Sequence, residues 1–352
     1  SIIAAIMIVA IIVLARTYVA RDGIAISNQA SLAGYLDNLN SGFEERGIQE
    51  PIQIPTGVLL QSVRYPDATS VVINGFVWQR VPKLEGEALT GGFTLPQLID
   101  EPMQVEEVLR EERETETLIV WTINAALKQS FDPTKYPFDS HEISLRLMPL
   151  DMQRNIILTP DFGSYEVTTP TFLPGLDSTV SIRDWLITGS AFRFIEVDYG
   201  TNLGIPDRPT RDLPELTYGI DSQRRFLGPF IAFLLPALVA AMMIFAFVLS
   251  DRKPDESDEI VTALSYTAAL FFVIAVMHTA LRESAAAIGL TYLEYFYLLL
   301  YLMVIFVAIN TFFVVNRPNY GIVRFGNNLI AKALFWPVVL TAMLIATVVI
   351  FV

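Results

Sequence analysis

Four apolar runs crowd the last third of the 352-residue chain, at 227–249, 260–281, 290–315 and 329–352. About 20 helical residues cross the roughly 30 Å of bilayer hydrocarbon, so each run reads as a membrane span. The rest of the sequence must fit around that constraint. Hydrophobic residues make up 53% of the chain and charged residues only 17%. Soluble domains carry about a quarter charged residues, so the apolar excess belongs where water is absent.

The net charge of −13 is confined to one region. Between Arg21 and Arg225 stand 30 acidic and 17 basic residues; elsewhere there are 7 of each. An acidic domain is the wrong partner for nucleic acid, whose phosphates require a basic surface. It concentrates cations near its surface or serves solubility alone. There is no cysteine, hence no disulfide and no thiolate site. The expected domains are an N-terminal membrane anchor at 1–20, a soluble β-rich domain at 21–225, and a four-helix membrane domain at 226–352. The first eighteen residues, SIIAAIMIVAIIVLARTY, also fit a signal-peptide core.

Residues 27–46 place Leu32, Tyr35, Leu36, Leu39 and Phe43 at three-to-four spacing, which predicts an amphipathic helix. Then the period changes to two. Strands are expected at 56–65, 70–81, 118–130, 141–147, 155–159, 164–169, 184–188 and 191–198, separated by Gly, Pro and Asp turns. That pattern predicts a β-sandwich. The acidic stretch 96–116 reads as a loop or short helix, and 202–216 as a long surface loop.

With the acidic domain outside, the loops at 250–259 and 316–328 face inward and carry Arg252, Lys253, Arg317 and Arg324. The loop at 282–289 faces outward and carries Arg282. This agrees with positive residues lying inside. The expected location is a bacterial inner membrane, with the large domain periplasmic or extracellular.

The second span is chemically ordered. Residues Asp258, Glu259, Thr262, Ser265, Ala269, Phe272, Val276 and Thr279 run from acid through hydroxyl and small side chains to bulky apolar ones, ending in a hydroxyl. Around an axis of several copies, such a face builds an acidic mouth, hydroxyl rings and an apolar constriction that gates by dewetting. In the alternative reading the hydroxyls bond back to their own helix or pack on neighbours. A register through Tyr266 and Val273 is also open. His278 is ionisable within a span; a packing role and a functional one both fit it. Glu294 is either interfacial or a partner of Arg282. Two histidines and no cysteine cannot assemble the usual nucleophile or metal sets, and no glycine-rich phosphate loop occurs. No catalytic residue, metal or cofactor is therefore expected, and the chain does not read as an enzyme.

One set of short motifs resembles a known family. The run Lys-Tyr-Pro-Phe-Asp-Ser-His-Glu-Ile-Ser-Leu-Arg-Leu at 135–147 is similar to the loop and strand of pentameric ligand-gated ion channels, in their cysteine-free prokaryotic form. Asp184-Trp185 fits the family's late strand. Arg224-Arg225 fits its basic pair before the first span, and Leu235-Pro236 its mid-helix proline. Thr262 in the second helix and Val315-Asn316-Arg317 closing the third also fit. The likeness runs from Pro55 to Val352. It implies a homopentamer in the lipid bilayer with the second helix lining a cation-preferring pore. It also implies that Tyr136, Pro137, Phe138, Asp139, Arg224 and Arg225 couple the outer domain to the helices. The stimulus, a small ligand or protons, stays open. Two departures stand out: an apolar segment precedes the outer domain, and no Trp-x-Pro-Asp motif lies between Trp78 and Trp121. Trp121, Tyr165, Trp185 and Tyr199 line an intersubunit pocket or pack in the core. The rival reading is a non-conducting, membrane-anchored sensor or accessory subunit.

Overall fold

The computed structural model describes residues 2–16, 21–45, 47, 49–67, 69–85, 89–99, 104–165, 174–201, 203–204, 213–250, 257–285, 289–316 and 328–352. The side chains at 15, 16, 257, 259 and 316 lie outside the description. The chain divides into two compact units: 19–131 with 141–223, and 1–18 with 132–140 and 224–352.

The first unit is built on two five-stranded sheets. Its elements in chain order are β1 (Ile24–Ile26), helix α2 (Gln29–Glu45), β2 (Ile52–Arg64), β3 (Ser70–Pro82), β4 (Phe93–Thr94), β5 (Gln104–Glu112), β6 (Glu116–Lys128), β7 (Ser140–Pro149), β8 (Ile156–Pro160), β9 (Trp185–Ile195) and β10 (Glu215–Arg224). One sheet has the order β1-β9-β10-β7-β4, the other β5-β6-β3-β2-β8. The β2–β3, β3–β6 and β5–β6 pairs are antiparallel, while β2 and β8 run parallel. Alternation explains the layering. In β7 the buried positions Ile143, Leu145 and Leu147 alternate with partly exposed ones. They join Phe192 and Tyr218 of their own sheet, Val58, Ile73 and Ile123 of the other, and Leu32, Leu36 and Phe43 of α2 in one core. Two inner faces closing on a shared apolar layer make a sandwich.

Gly75 shows how tightly two strands meet. A Cβ there would collide with the Leu59 carbonyl oxygen, just before the β2 bulge between Leu60 and Ser62. Only a residue without a side chain allows that approach.

Two stretches differ from the sequence expectation. The 96–116 segment contains a nine-residue strand, β5, not a loop or helix. It is an edge strand exposed along almost its whole length, with charges on both faces, so no period of two marks it. Arg110 pairs with Glu107, and Arg113 with Glu111 and Glu116. Charged edges of this kind discourage pairing with a stray strand. The second difference is β10, whose first residues fall in the stretch 202–216 expected as a surface loop. It lies between β9 and β7 and is buried on both faces from Glu215 to Ser222. Its two acidic side chains find partners, whereas the buried Thr217 hydroxyl has none among the described residues. Glu215 accepts from Arg146 at 2.7 Å and from the Tyr199 hydroxyl at 2.6 Å, and Asp221 pairs with Arg21. Residues 202 and 205–212 of the expected loop, and 166–169 of the expected strand 164–169, lie outside the described residues. The described start of that strand is a short 3-10 turn at Phe162–Ser164. The expected strands 184–188 and 191–198 are one strand, continuous through Gly189-Ser190.

The second unit holds helix α1 (Ile2–Arg16) and four helices long and apolar enough to cross a membrane. These are α3 (Leu227–Leu249), α4 (Ser257–Ala285), α5 (Tyr292–Asn316) and α6 (Leu329–Phe351). The described α1 spans 15 residues, or about 22 Å, and packs on α6. A π-turn at Phe230–Leu234 precedes Pro236 in α3. Proline supplies no N–H and crowds the preceding turn, and π-turns are one way a helix absorbs that. The Phe233 carbonyl there accepts the Tyr297 hydroxyl of α5 at 3.0 Å.

Candidate functional site

Every described side chain of the α4 stripe is exposed on the single chain: Asp258, Thr262, Ser265, Ala269, Phe272, Val276 and Thr279. Glu259 has only its backbone described. The buried positions of α4 are Ala263, Thr267, Leu270, Ile274, Leu281 and Ala285. At roughly 100° per residue, the two sets lie about half a turn apart. The helix therefore packs on its own bundle with one face and presents the stripe on the opposite one. Phe272 is 69% exposed and Val276 54%. The hydroxyls of Thr262, Ser265 and Thr279 each donate to the carbonyl four residues back, at 2.8, 2.8 and 3.0 Å. Tyr266, of the alternative register, instead donates to the Met243 carbonyl of α3 and stacks on Phe247, whereas Val273 is exposed.

The loop 132–140 belongs to the helical unit. Tyr136 and Asp139 are each 1% exposed. Arg224 forms a two-pronged pair with Asp139, Nε to Oδ1 at 2.7 Å and Nη2 to Oδ2 at 2.9 Å, and its guanidinium lies 4.8 Å from the Tyr136 ring centre. The Arg224 N–H also donates to the Asp139 carbonyl at 3.1 Å. The Tyr136 carbonyl accepts from the Leu293 N–H at the start of α5, at 3.3 Å. Phe138 stacks on Phe226 at 4.9 Å and reaches Tyr292 and Phe351 at 5.9 and 6.4 Å. Pro137 follows Tyr136 through a cis peptide. Five of the six proposed coupling residues thus sit on this loop or its arginine clasp, against the ends of three helices. Arg225, next in the chain, is exposed.

Glu294 anchors a third cluster, assembled from α4 and α5. Its side chain is 1% exposed. Oε1 accepts from Arg282 at 2.6 Å and lies 3.2 Å from His278 Nε2, while Oε2 accepts from the Thr291 N–H at 2.7 Å. His278 Nδ1 lies 3.3 Å from the Tyr301 hydroxyl, and the ring stacks on Tyr297. Glu294 is therefore a partner of Arg282, and His278 belongs to the same network. A Thr-x-x-Glu helix-start signal at Thr291–Glu294 was present in the sequence and points to half of this geometry.

The aromatic pocket candidates separate. Trp121 and Trp185 are buried in the sandwich core. Tyr165 packs against that core, its hydroxyl donating to the Val58 carbonyl at 2.9 Å. Tyr199 alone of the four is exposed, with its hydroxyl on Glu215. The inner-loop residues Arg252, Lys253, Arg317 and Arg324, and 286–288 of the outer loop, lie outside the described residues.

Comparison with known proteins found no family model and no curated relative that the sequence matches.

Proposed function

We propose that the protein is a homopentameric, ligand- or proton-gated, cation-preferring channel of the bacterial inner membrane, resembling the pentameric ligand-gated ion channels. The observation that carries this reading is the α4 stripe, chemically graded and turned away from the helix's own bundle. Five such faces around an axis enclose water. Asp258 and Glu259 form an acidic inner ring, which favours cations, and Phe272 with Val276 forms the apolar level that closes the path. The loop at 136–139 supports the coupling role. It grips the ends of α5 and α6 and continues directly into β7, so a shift of that strand pulls on the helices. A stimulus opens the pore only by binding the open state more tightly than the closed one. In this reading the sandwich domain is periplasmic or extracellular.

The test is current through reconstituted liposomes. Asp258→Asn with Glu259→Gln is expected to shift the reversal potential toward loss of cation preference. An unchanged reversal potential removes the acidic-ring role.

The packing of α1 on α6 favours a second reading, a non-conducting, membrane-anchored sensor or accessory subunit. In that case the particle in mild detergent is a monomer or partner complex without a central pore.

A further inference from the structure

The apolar segment that sets this chain apart from the channels it resembles folds as α1, and within the helical unit α1 packs on α6. Ala5, Ile8 and Ile12 are among its more buried positions, Ile12 being only 8% exposed, whereas Ile2, Ile6 and Val9 are exposed. The first set recurs at three-to-four spacing, which is one face of a helix. Lipid tails are as apolar as that face. Close packing, helped by the small Ala5, therefore has to hold α1 on α6.

From Arg21 onward the chain is fixed in the sandwich unit. Arg21 donates to the buried Asp221 of β10, Nη2 to Oδ2 at 2.5 Å and Nε to Oδ1 at 3.3 Å. Gly23 has a φ of +80°, and a Cβ there would lie 2.2 Å from the Phe194 carbonyl oxygen, so only glycine passes. Ile24, Ala25 and Ile26 then pair with Phe194, Arg193 and Phe192 of β9. Five peptide steps join Arg16, the last residue of α1, to Arg21. At roughly 3.3–3.6 Å each, they reach about 18 Å at most.

We propose that α1 and the 21–26 segment form a strap: a helix seated on α6 and tied by a short link to β9 and β10, so that undocking at either end is felt at the other. The cause is chain entropy. While α1 stays on α6, a β1 strand that leaves β9 is kept within reach and returns. Once α1 lets go, or the link is longer, the free strand gains freedom. The coupling is reciprocal, so undocking of β1 weakens the seat of α1 on α6 by the same factor. In the channel reading the strap is a second path from the sandwich to the bundle, separate from the 136–139 loop. The strap itself does not require conduction.

The test is hydrogen exchange on the full chain in nanodiscs, followed by mass spectrometry at 24–26 and 192–194. Six Gly-Ser residues inserted between Tyr18 and Val19 keep every described contact and lengthen the link from five steps to eleven. Exchange at β1 and β9 is then expected to rise roughly threefold. Ala5→Phe, which pushes α1 off α6, should raise it at least as much, and Val9→Phe, on the exposed face, should leave it unchanged. In the spacer-bearing chain Ala5→Phe should add little. Unchanged exchange in either the spacer or the Ala5→Phe chain overturns the strap, as does a full Ala5→Phe effect in the spacer-bearing chain. An intact mass showing that the purified protein begins after Ala15 overturns it as well. Absence of current in liposomes with the exchange response present would sink the channel reading and leave the strap standing.

Discussion

Asp139 is a carboxylate with almost no exposed surface, held by the fork of Arg224. Removing one partner of a buried pair leaves the other charged and unpaired, which costs about 3–5 kcal/mol. Arg224→Ala is therefore expected to lower thermal stability in detergent strongly. Arg224→Lys should recover only part of it, because an ammonium cannot make two parallel bonds. Equal stability of the three proteins would remove Arg224 as the clasp. In the sandwich, burial pushes the Glu142 carboxyl above the usual carboxylate range; Arg193 opposes the shift, and the charge on Asp221 adds to it. The folded chain then holds that proton more readily than the unfolded chain. The group thus adds stability as pH falls through its raised pKa toward its ordinary 4.5, and that contribution is lost at higher pH. Glu142→Gln should make the variant's unfolding temperature fall more steeply than that of the wild type on acidification from neutral pH. Parallel pH profiles would contradict the assignment. Both residues were visible in the sequence, but their burial was not, since the partners Arg193 and Arg224 lie 51 and 85 positions away.

At the level of elements, legibility followed periodicity. The apolar runs of α3 to α6 and the alternating strands β3, β6 and β7 could be read directly. The edge strand β5 and the doubly buried β10 could not, because neither has two chemically different faces. The α4–α5 contact adds a prediction of its own. Glu294 accepts from Arg282, His278 and the Thr291 N–H at once, so it ties α4 to the first turn of α5. Glu294→Ala should loosen that contact and destabilise the helical unit by a few kcal/mol, as expected for a buried charge network that loses its centre. Hydrogen exchange of the α4 end, at 279–285, should accelerate. Unchanged exchange there would show that apolar packing alone holds the pair.

For the whole molecule, the proposed channel requires the stripe to meet copies of itself. A homopentamer has about five times the 39.3 kDa chain mass, and native mass measurement in mild detergent is expected to find that species. A monomer would favour the sensor reading. Phe272→Ala should widen the apolar level and raise the current in the absence of stimulus, if that level closes the path. A current unchanged at rest places the barrier elsewhere.

The sequence by itself determined the four runs long and apolar enough to cross a membrane, the acidic character of the sheet-rich unit and the chemical order along α4. Each depends on residue type and local spacing, and an apolar helix or an alternating strand is defined within its own length. Only the tertiary structure decided which face of α4 is free, that Glu294 joins Arg282 and His278, and that the loop at 136–139 closes on the helix ends. Those facts depend on residues brought together across long separations, where packing, not local period, selects the partner.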